Sequence, residues 1–219
     1  MPEPFLVPDT YQANDGKRGI AARQLTRKEA GLPEEGFVFC CFNNNHKISP
    51  EMFEIWMRLL KTVEGSVLWL LQDNSAVPRN LKREAEARGV AADRLIFAPR
   101  VDPPDHLARQ KLAGLFLDTL PYNAHTTASD ALWVGLPIVT TPGNTFAGRV
   151  AASLVQAAGM PELIAPSLAE YEALALKLAR DPEALAAIRH KLANNRDTCA
   201  LFDTPHITRN LEAAFIRMH

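Results

Sequence analysis

The 219-residue sequence has only three cysteines, Cys40, Cys41 and Cys199. Two of them are adjacent, so no disulfide framework and no zinc-ligand spacing is available. No apolar run approaches the length of a bilayer span; the longest are Ser66–Leu71 and Gly114–Leu117. Met1–Gln12 has no basic segment followed by an apolar one, so no secretory signal is expected. Charge of one sign is also missing: the formal net charge is −1, which leaves no basic footprint for nucleic acid. Neither Gly-x-Gly-x-x-Gly nor Gly-x-x-x-x-Gly-Lys occurs, which removes the main support for dinucleotide and P-loop chemistry. No two aspartates are separated by a single residue, so no metal-bridged diphosphate site is expected. What remains is a globular chain expected in a reducing, cytoplasmic-type compartment, with no membrane or nucleic-acid partner and no bound metal.

At 47% hydrophobic and 22% charged, the chain can bury a substantial core. Met1–Gly19 holds three prolines and two glycines with no sustained periodicity and reads as a linker. Thr26 followed by Glu29 has capping-box spacing and predicts a short helix ending before Gly31. From Gly36 an alternation begins. Apolar runs at Phe37–Phe42, Val67–Leu71, Leu95–Phe97, Gly114–Leu117 and Ile138–Thr140 read as strands. Between them, helices are predicted over Pro50–Val63, Asn80–Arg88, Pro104–Leu112, Thr126–Val134 and Ala147–Ala158. A short extended piece near Leu163–Ala165 precedes helices over Leu168–Arg180, Pro182–Asn194 and about Thr204–Met218. Continuous apolar strands alternating with amphipathic helices predict an α/β fold, a Rossmann-like doubly wound parallel sheet with extra C-terminal helices. Strand order cannot be read from this pattern. The division expected is 1–33 as a linker or the end of a preceding lobe, and 34–219 as the Rossmann-like lobe.

Open parallel sheets bind ligands at the carboxyl ends of their strands, which directs attention to the segments after each strand. After the first come Asn43, Asn44, Asn45, His46 and Lys47, which present amides and a mobile positive charge, or simply a solvated turn. After the third, prolines lead into a helix on which His106 and Arg109 share one face, either a ligand surface or an ordinary basic one. After the fourth, His125, Thr126 and Thr127 stand at a predicted helix N-terminus, where unpaired amides favour phosphate. Asp130 lies one turn further on, placed to accept from ribose hydroxyls, or only to compensate the helix dipole. No segment decides between these readings alone.

Taken in order, Phe39–Ile48, Ser66–Leu71, Asn123–Thr127 with Asp130, and Pro137–Gly143 followed by Arg149–Ser153 closely resemble the protein O-GlcNAc transferase family, with its bacterial and plant SPINDLY-type relatives. The resemblance runs from about Asp9 to the end. It implies the C-terminal lobe of a GT-B glycosyltransferase, metal-independent and inverting, that moves GlcNAc from UDP-GlcNAc to Ser or Thr of acceptor proteins. In this family tetratricopeptide repeats present the acceptor and an N-terminal lobe supplies the catalytic histidine. The resemblance therefore assigns no catalytic residue here and implies that the isolated chain is inactive.

By motif, Lys47 matches the lysine at the diphosphate, and Asn44 stands where the family commonly has Gln. His106 and Arg109 match the pair near the uracil, and backbone around Val101 would read the base edge. His125, Thr126 and Thr127 match the phosphate-contacting turn, and Asp130 the ribose carboxylate. Pro103 replaces a lysine of the animal enzymes. The plant fucosyl-transferring relatives lack the histidine and carry Glu at the position of Asp130, so the pattern favours a UDP-sugar. A GDP-fucose-dependent lobe and a stand-alone nucleotide-binding or assembly module are the alternatives. A flavodoxin-like signalling domain would need an acidic cluster where Asn43–Asn45 stand.

Overall fold

A computed structural model describes residues 9–218. Its centre is a five-stranded parallel sheet of β1 (Val38–Cys41), β2 (Val67–Leu71), β3 (Leu95–Ala98), β4 (Leu115–Leu117) and β5 (Ile138–Val139). Every residue of β1, β2, β4 and β5 is buried, as a sheet covered on both faces requires. The order is β3-β2-β1-β4-β5. The chain thus steps outward through β2 and β3, then returns to the centre and steps the other way. The reversal lies between β1 and β4, and the crevice at their carboxyl ends is where such sheets take ligands.

The helices are α1 (Pro50–Thr62), α2 (Ala76–Ala87), α3 (Pro103–Gln110), α4 (Thr126–Trp133), α5 (Val150–Ala157), α6 (Leu168–Arg180), α7 (Pro182–Asn195) and α8 (Thr204–Met218). Start signals in the sequence are used as written. Ser49 accepts from the Met52 N–H at 3.3 Å with Pro50 in the first turn, and Asp181 accepts from Ala184 at 2.9 Å ahead of Pro182. α1 buries Phe53, Trp56 and Leu60 and packs against α6.

Three expectations are corrected. The stretch after Thr26 is a single turn, not a helix. Its capping box forms, with Thr26 N–H to Glu29 Oε2 at 2.8 Å and Glu29 N–H back to Thr26 Oγ1 at 3.2 Å, but Gly31 at φ +70° ends it at once. α2 starts at Ala76 rather than Asn80, because Asn74 Oδ1 caps the amides of Ala76 and Val77 at 3.0 and 3.1 Å. α5 starts at Val150, since residues 145–149 form turns. The extended piece near Leu163–Ala165 is present: Thr140 bridges to Ile164 beyond the end of β5.

Residues 9–33 contain no regular helix or strand, yet they are tied along the lobe. Gln12 Nε2 donates to Ser129 Oγ at 3.1 Å, Asn14 Nδ2 to the Leu201 carbonyl at 3.3 Å, and Ala21 N–H to the Pro104 carbonyl at 3.1 Å. This strap crosses the sheet's ligand edge. The outer face of α8 leaves Leu211, Phe215, Ile216 and Met218 exposed.

Candidate functional site

The turn between β4 and α4 is held from below by a buried polar network. Asp118, at the end of β4, accepts from the Ala124 N–H and from Thr140 Oγ1, both at 2.6 Å. Asn43, just past β1, donates to Thr119 Oγ1 at 2.8 Å and accepts from the Thr127 hydroxyl. Tyr171 on α6 donates to the Asp118 carbonyl at 2.9 Å and accepts from Trp56 Nε1 at 3.2 Å. Burial raises the Asp118 carboxyl to about 6, against the pull of these donors. Asn43, Asp118 and Thr119 lie at the strand ends that flank the crevice, and they fix where α4 begins.

His125 occupies the N-cap position of α4 without a side-chain cap bond, so the opening amides of the helix stay available to a ligand. Lys47 approaches from the β1 side. Its Nζ donates to the Asn123 carbonyl at 2.9 Å and sits 3.8 Å from the centre of the Tyr122 ring. The expectation of a mobile, solvated lysine is corrected: the ammonium is half-buried and held. Burial lowers its pKa, and Asp118 partly offsets that. Burial also lowers the pKa of His125, whose Nδ1 lies 3.1 Å from Tyr11 Oη.

At the other end of the crevice, Arg109 is 5% exposed and fully engaged. Its Nε and one terminal nitrogen reach His106 Nδ1 at 3.0 and 2.7 Å, and the other donates to the Pro99 carbonyl at 2.6 Å. Its guanidinium stacks 5.2 Å over Phe42, whose ring also meets the His106 ring edge-on. Burial, Arg109 and Arg100 push His106 down to about 4, and burial brings Arg109 to about 10. His106 is therefore a neutral imidazole that accepts at Nδ1 and presents Nε2–H. A merely solvated basic face is ruled out by this burial.

A cavity of about 560 Å³ lies between α3 and α4, a size suited to a small-molecule ligand. It brings together Asn44, Val101, His106, Arg109, Thr127 and Asp130 over a floor that includes Phe42 and Leu71. Lys47, His125 and Thr126 are not in its lining; they stand around the N-terminus of α4. Asn44 accepts from Arg100 at 3.1 Å, and Arg100 also pairs with Asp73 at 2.7 Å. The Val101 side chain is exposed. Asp130 is paired with Arg18 of the strap.

Arg18 and Asp15, both lining the cavity, were not found from sequence, because the strap has neither periodicity nor a motif. The Asn43–Asp118–Thr119 network was also missed. Its one signal was a carboxylate directly following an apolar strand, opposite an Asn placed the same way. Among the described residues, no three His, Cys, Asp or Glu side chains gather so as to hold a metal ion.

The model of glycosyl transferase family 41 matches residues 12–211. A probable UDP-N-acetylglucosamine–peptide N-acetylglucosaminyltransferase, SEC of Arabidopsis thaliana, is 38% identical over 219 residues, all of this chain and 22% of that protein. A UDP-N-acetylglucosamine–peptide N-acetylglucosaminyltransferase of Caenorhabditis elegans is 36% identical over 85% of this chain and 16% of its own length. The solved structure of a mutant O-GlcNAc transferase from Thermobaculum terrenum superimposes with a TM-score of 0.81 at 33% identity, covering 96% of this chain and 39% of that one. The chain thus spans 22% or less of these two curated relatives. Its parallel sheet with flanking helices is that of a GT-B glycosyltransferase lobe. With the family model covering nearly the whole sequence, the chain belongs to glycosyl transferase family 41.

Proposed function

We propose that this chain is the donor-binding lobe of a protein O-GlcNAc transferase, holding UDP-GlcNAc while GlcNAc passes to Ser or Thr of an acceptor protein. The observation that carries the reading is the cavity wall on which a neutral His106–Arg109 pair and the Asp130 carboxylate meet Thr127, with the open N-terminus of α4 beside it. Those groups suit base, ribose and diphosphate in turn. Helix amides, the Thr126 hydroxyl and Lys47 would stabilise the departing UDP, the Thr127 hydroxyl being already donated to Asn43. The family's catalytic histidine and acceptor surface belong to segments outside this chain, a second lobe and tetratricopeptide repeats. A reducing, cytoplasmic setting suits three free cysteines, two of them buried on β1.

The names of the relatives favour the UDP-GlcNAc side over a GDP-fucose user. Calorimetry on the 219-residue chain tests this. Half a cleft leaves the sugar in water, so UDP binding is expected no tighter than about 100 µM, and GDP weaker still. Lys47→Ala should cost about 1.5–3 kcal/mol of UDP affinity, the worth of a charge-assisted contact. Equal binding of UDP and GDP overturns the uridine reading, and an unchanged Lys47→Ala affinity overturns the diphosphate role. Robust peptide glycosylation by this chain alone would overturn its assignment as a donor lobe only.

A further inference from the structure

We propose that Arg18 is a positioning residue for the donor: it holds one oxygen of the Asp130 carboxylate and leaves the other to the ribose. This inference rests on the nucleotide reading above.

Arg18 belongs to a segment without regular structure, yet its side chain is only 21% exposed, and that of Asp130 16%. Both residues line the 560 Å³ cavity. The guanidinium bonds Asp130 Oδ1 through one nitrogen and the Ser129 carbonyl through another at 3.3 Å. It is thereby registered on the backbone of α4 as well as on the carboxylate. The Trp133 ring flanks it with its centre 5.7 Å from Cζ. Two further bonds hold the strap in place, Gln12 to Ser129 on one side and Ala21 to the Pro104 carbonyl on the other. Asp130 Oδ2 has no hydrogen-bond partner among the described residues, whereas Oδ1 is taken. A carboxylate clamped at one oxygen and open at the other is aimed.

Stability alone is a poor reason for the pair. The arginine leaves its Nε buried and unpartnered, and removing two charges from water offsets most of what their attraction returns. The gain is in charge state. Burial pushes the Asp130 carboxyl up, and Arg18 is what pulls it back. Four other charged or titratable groups share the cavity wall: Asp15 from the strap, Arg100 before α3, and His106 and Arg109 on α3. Arg196 lies across Trp133, and α5, packed on the other side of α4, has no titratable side chain in Val150–Ala157. Among the described residues only Arg18 forms an ion pair with Asp130.

UDP affinity of the full chain, measured by calorimetry at pH 6 and pH 8, tests the role. Protonation of the phosphate is common to all variants and cancels in the ratio of variant to wild type. His106, at about 4, stays neutral throughout. Arg18→Gln is expected to weaken UDP about tenfold at pH 6 and less at pH 8, since without Arg18 burial acts unopposed and raises the Asp130 carboxyl further, which favours its protonated form at the lower pH. Arg18→Lys should restore a ratio independent of pH, and in an Asp130→Asn background Arg18→Gln should lose its pH dependence. A ratio equal at both pH values marks Arg18 as a structural tie, and tighter binding after its removal marks the pair as a block; either overturns the inference. Failure of the wild-type chain to bind UDP, or wild-type affinity in Asp130→Asn, overturns the nucleotide or ribose reading itself.

Discussion

The sheet and the strap hold the same crevice by opposite means. β1 and β4 end in a network whose members, Asn43, Asp118 and Thr119, are all buried, over a core that includes Trp56, Trp69 and Tyr171. Residues 9–33 contribute Leu32 to that core, with Ala30 packed against it, and otherwise hold on through side-chain and backbone hydrogen bonds, at half-buried Gln12 and Arg18 and at buried Asn14. The first arrangement is built on apolar burial and cannot yield locally. The second rests on bonds that each exchange with water and contribute about 1 kcal/mol apiece. Positions that must not move are therefore set by the sheet. The group placed by the strap, Arg18, lines the cavity.

The sharpest way to break this contrast is to remove a core side chain. Trp56 is fully buried on α1, and its indole N–H reaches Tyr171, which in turn holds the end of β4. Trp56→Ala should cost about 3–5 kcal/mol in urea unfolding, with the midpoint lowered and the slope unchanged. A loss below about 1 kcal/mol, the range of a surface change, would mean the core is far less cooperative than its burial implies.

Asp118 sharpens the contrast from the polar side. Its folded pKa of about 6 lies above the ordinary value of 3.8, so the folded state binds a proton that the unfolded state has released. The sign follows from linkage: the contribution is full below the unfolded value and is lost as pH rises towards 6. A gap of this size between the folded and unfolded values corresponds to about 3 kcal/mol at most. Asp118→Asn imitates the protonated form. The stability of wild type relative to this variant should accordingly fall as the pH is raised from 4 to 7 in a series of urea titrations. A flat difference would show that the network solvates the carboxylate fully.

What was legible in the sequence follows the same division. Continuous apolar runs gave all five strands to within one or two residues, because burial on both faces leaves no other composition. Their order was not legible: a run of Val, Leu and Phe reports that a strand is covered, not which strand lies beside it. β5 was expected to include Thr140, but that residue turns its backbone bonds to Leu163 and Ala165. Of the expected site residues, Asn44, Val101, His106, Arg109, Thr127 and Asp130 come together in one cavity, each from a segment that follows a strand. Lys47 was found with its environment misjudged, since nothing local announces that the Asn123 carbonyl and the Tyr122 ring will meet it. Arg18 was invisible for a related reason. Its partner is 112 residues away, and no periodicity links the two.

The smallest expected effect tests whether the strap unfolds separately from the sheet. The turn at Thr26 is closed by its capping box and by three backbone bonds, Ala30 N–H to the Thr26 carbonyl and Gly31 N–H to the Lys28 carbonyl at 3.1 Å each, and Leu32 N–H to the Arg27 carbonyl at 2.8 Å. Thr26→Ala removes the side-chain half of that box. Loss of such a cap corresponds to about 1 kcal/mol, or about a fivefold shift in the local opening equilibrium. Hydrogen exchange should show the Ala30 and Leu32 amides about fivefold faster, with β1 and β2 amides and the urea midpoint unchanged. Glu29 gives the matching pH arm. Its carboxyl is held down to about 2 by the Thr26 amide, Arg23 and the Thr26 hydroxyl. A depressed folded value means that the contribution is present above the ordinary 4.5 and disappears as pH falls towards 2, so acid should loosen the turn and the Thr26→Ala difference should narrow with it. If β1 amides quicken together with Ala30, the turn and the sheet open as one unit, and the contrast between strap and sheet fails at this point.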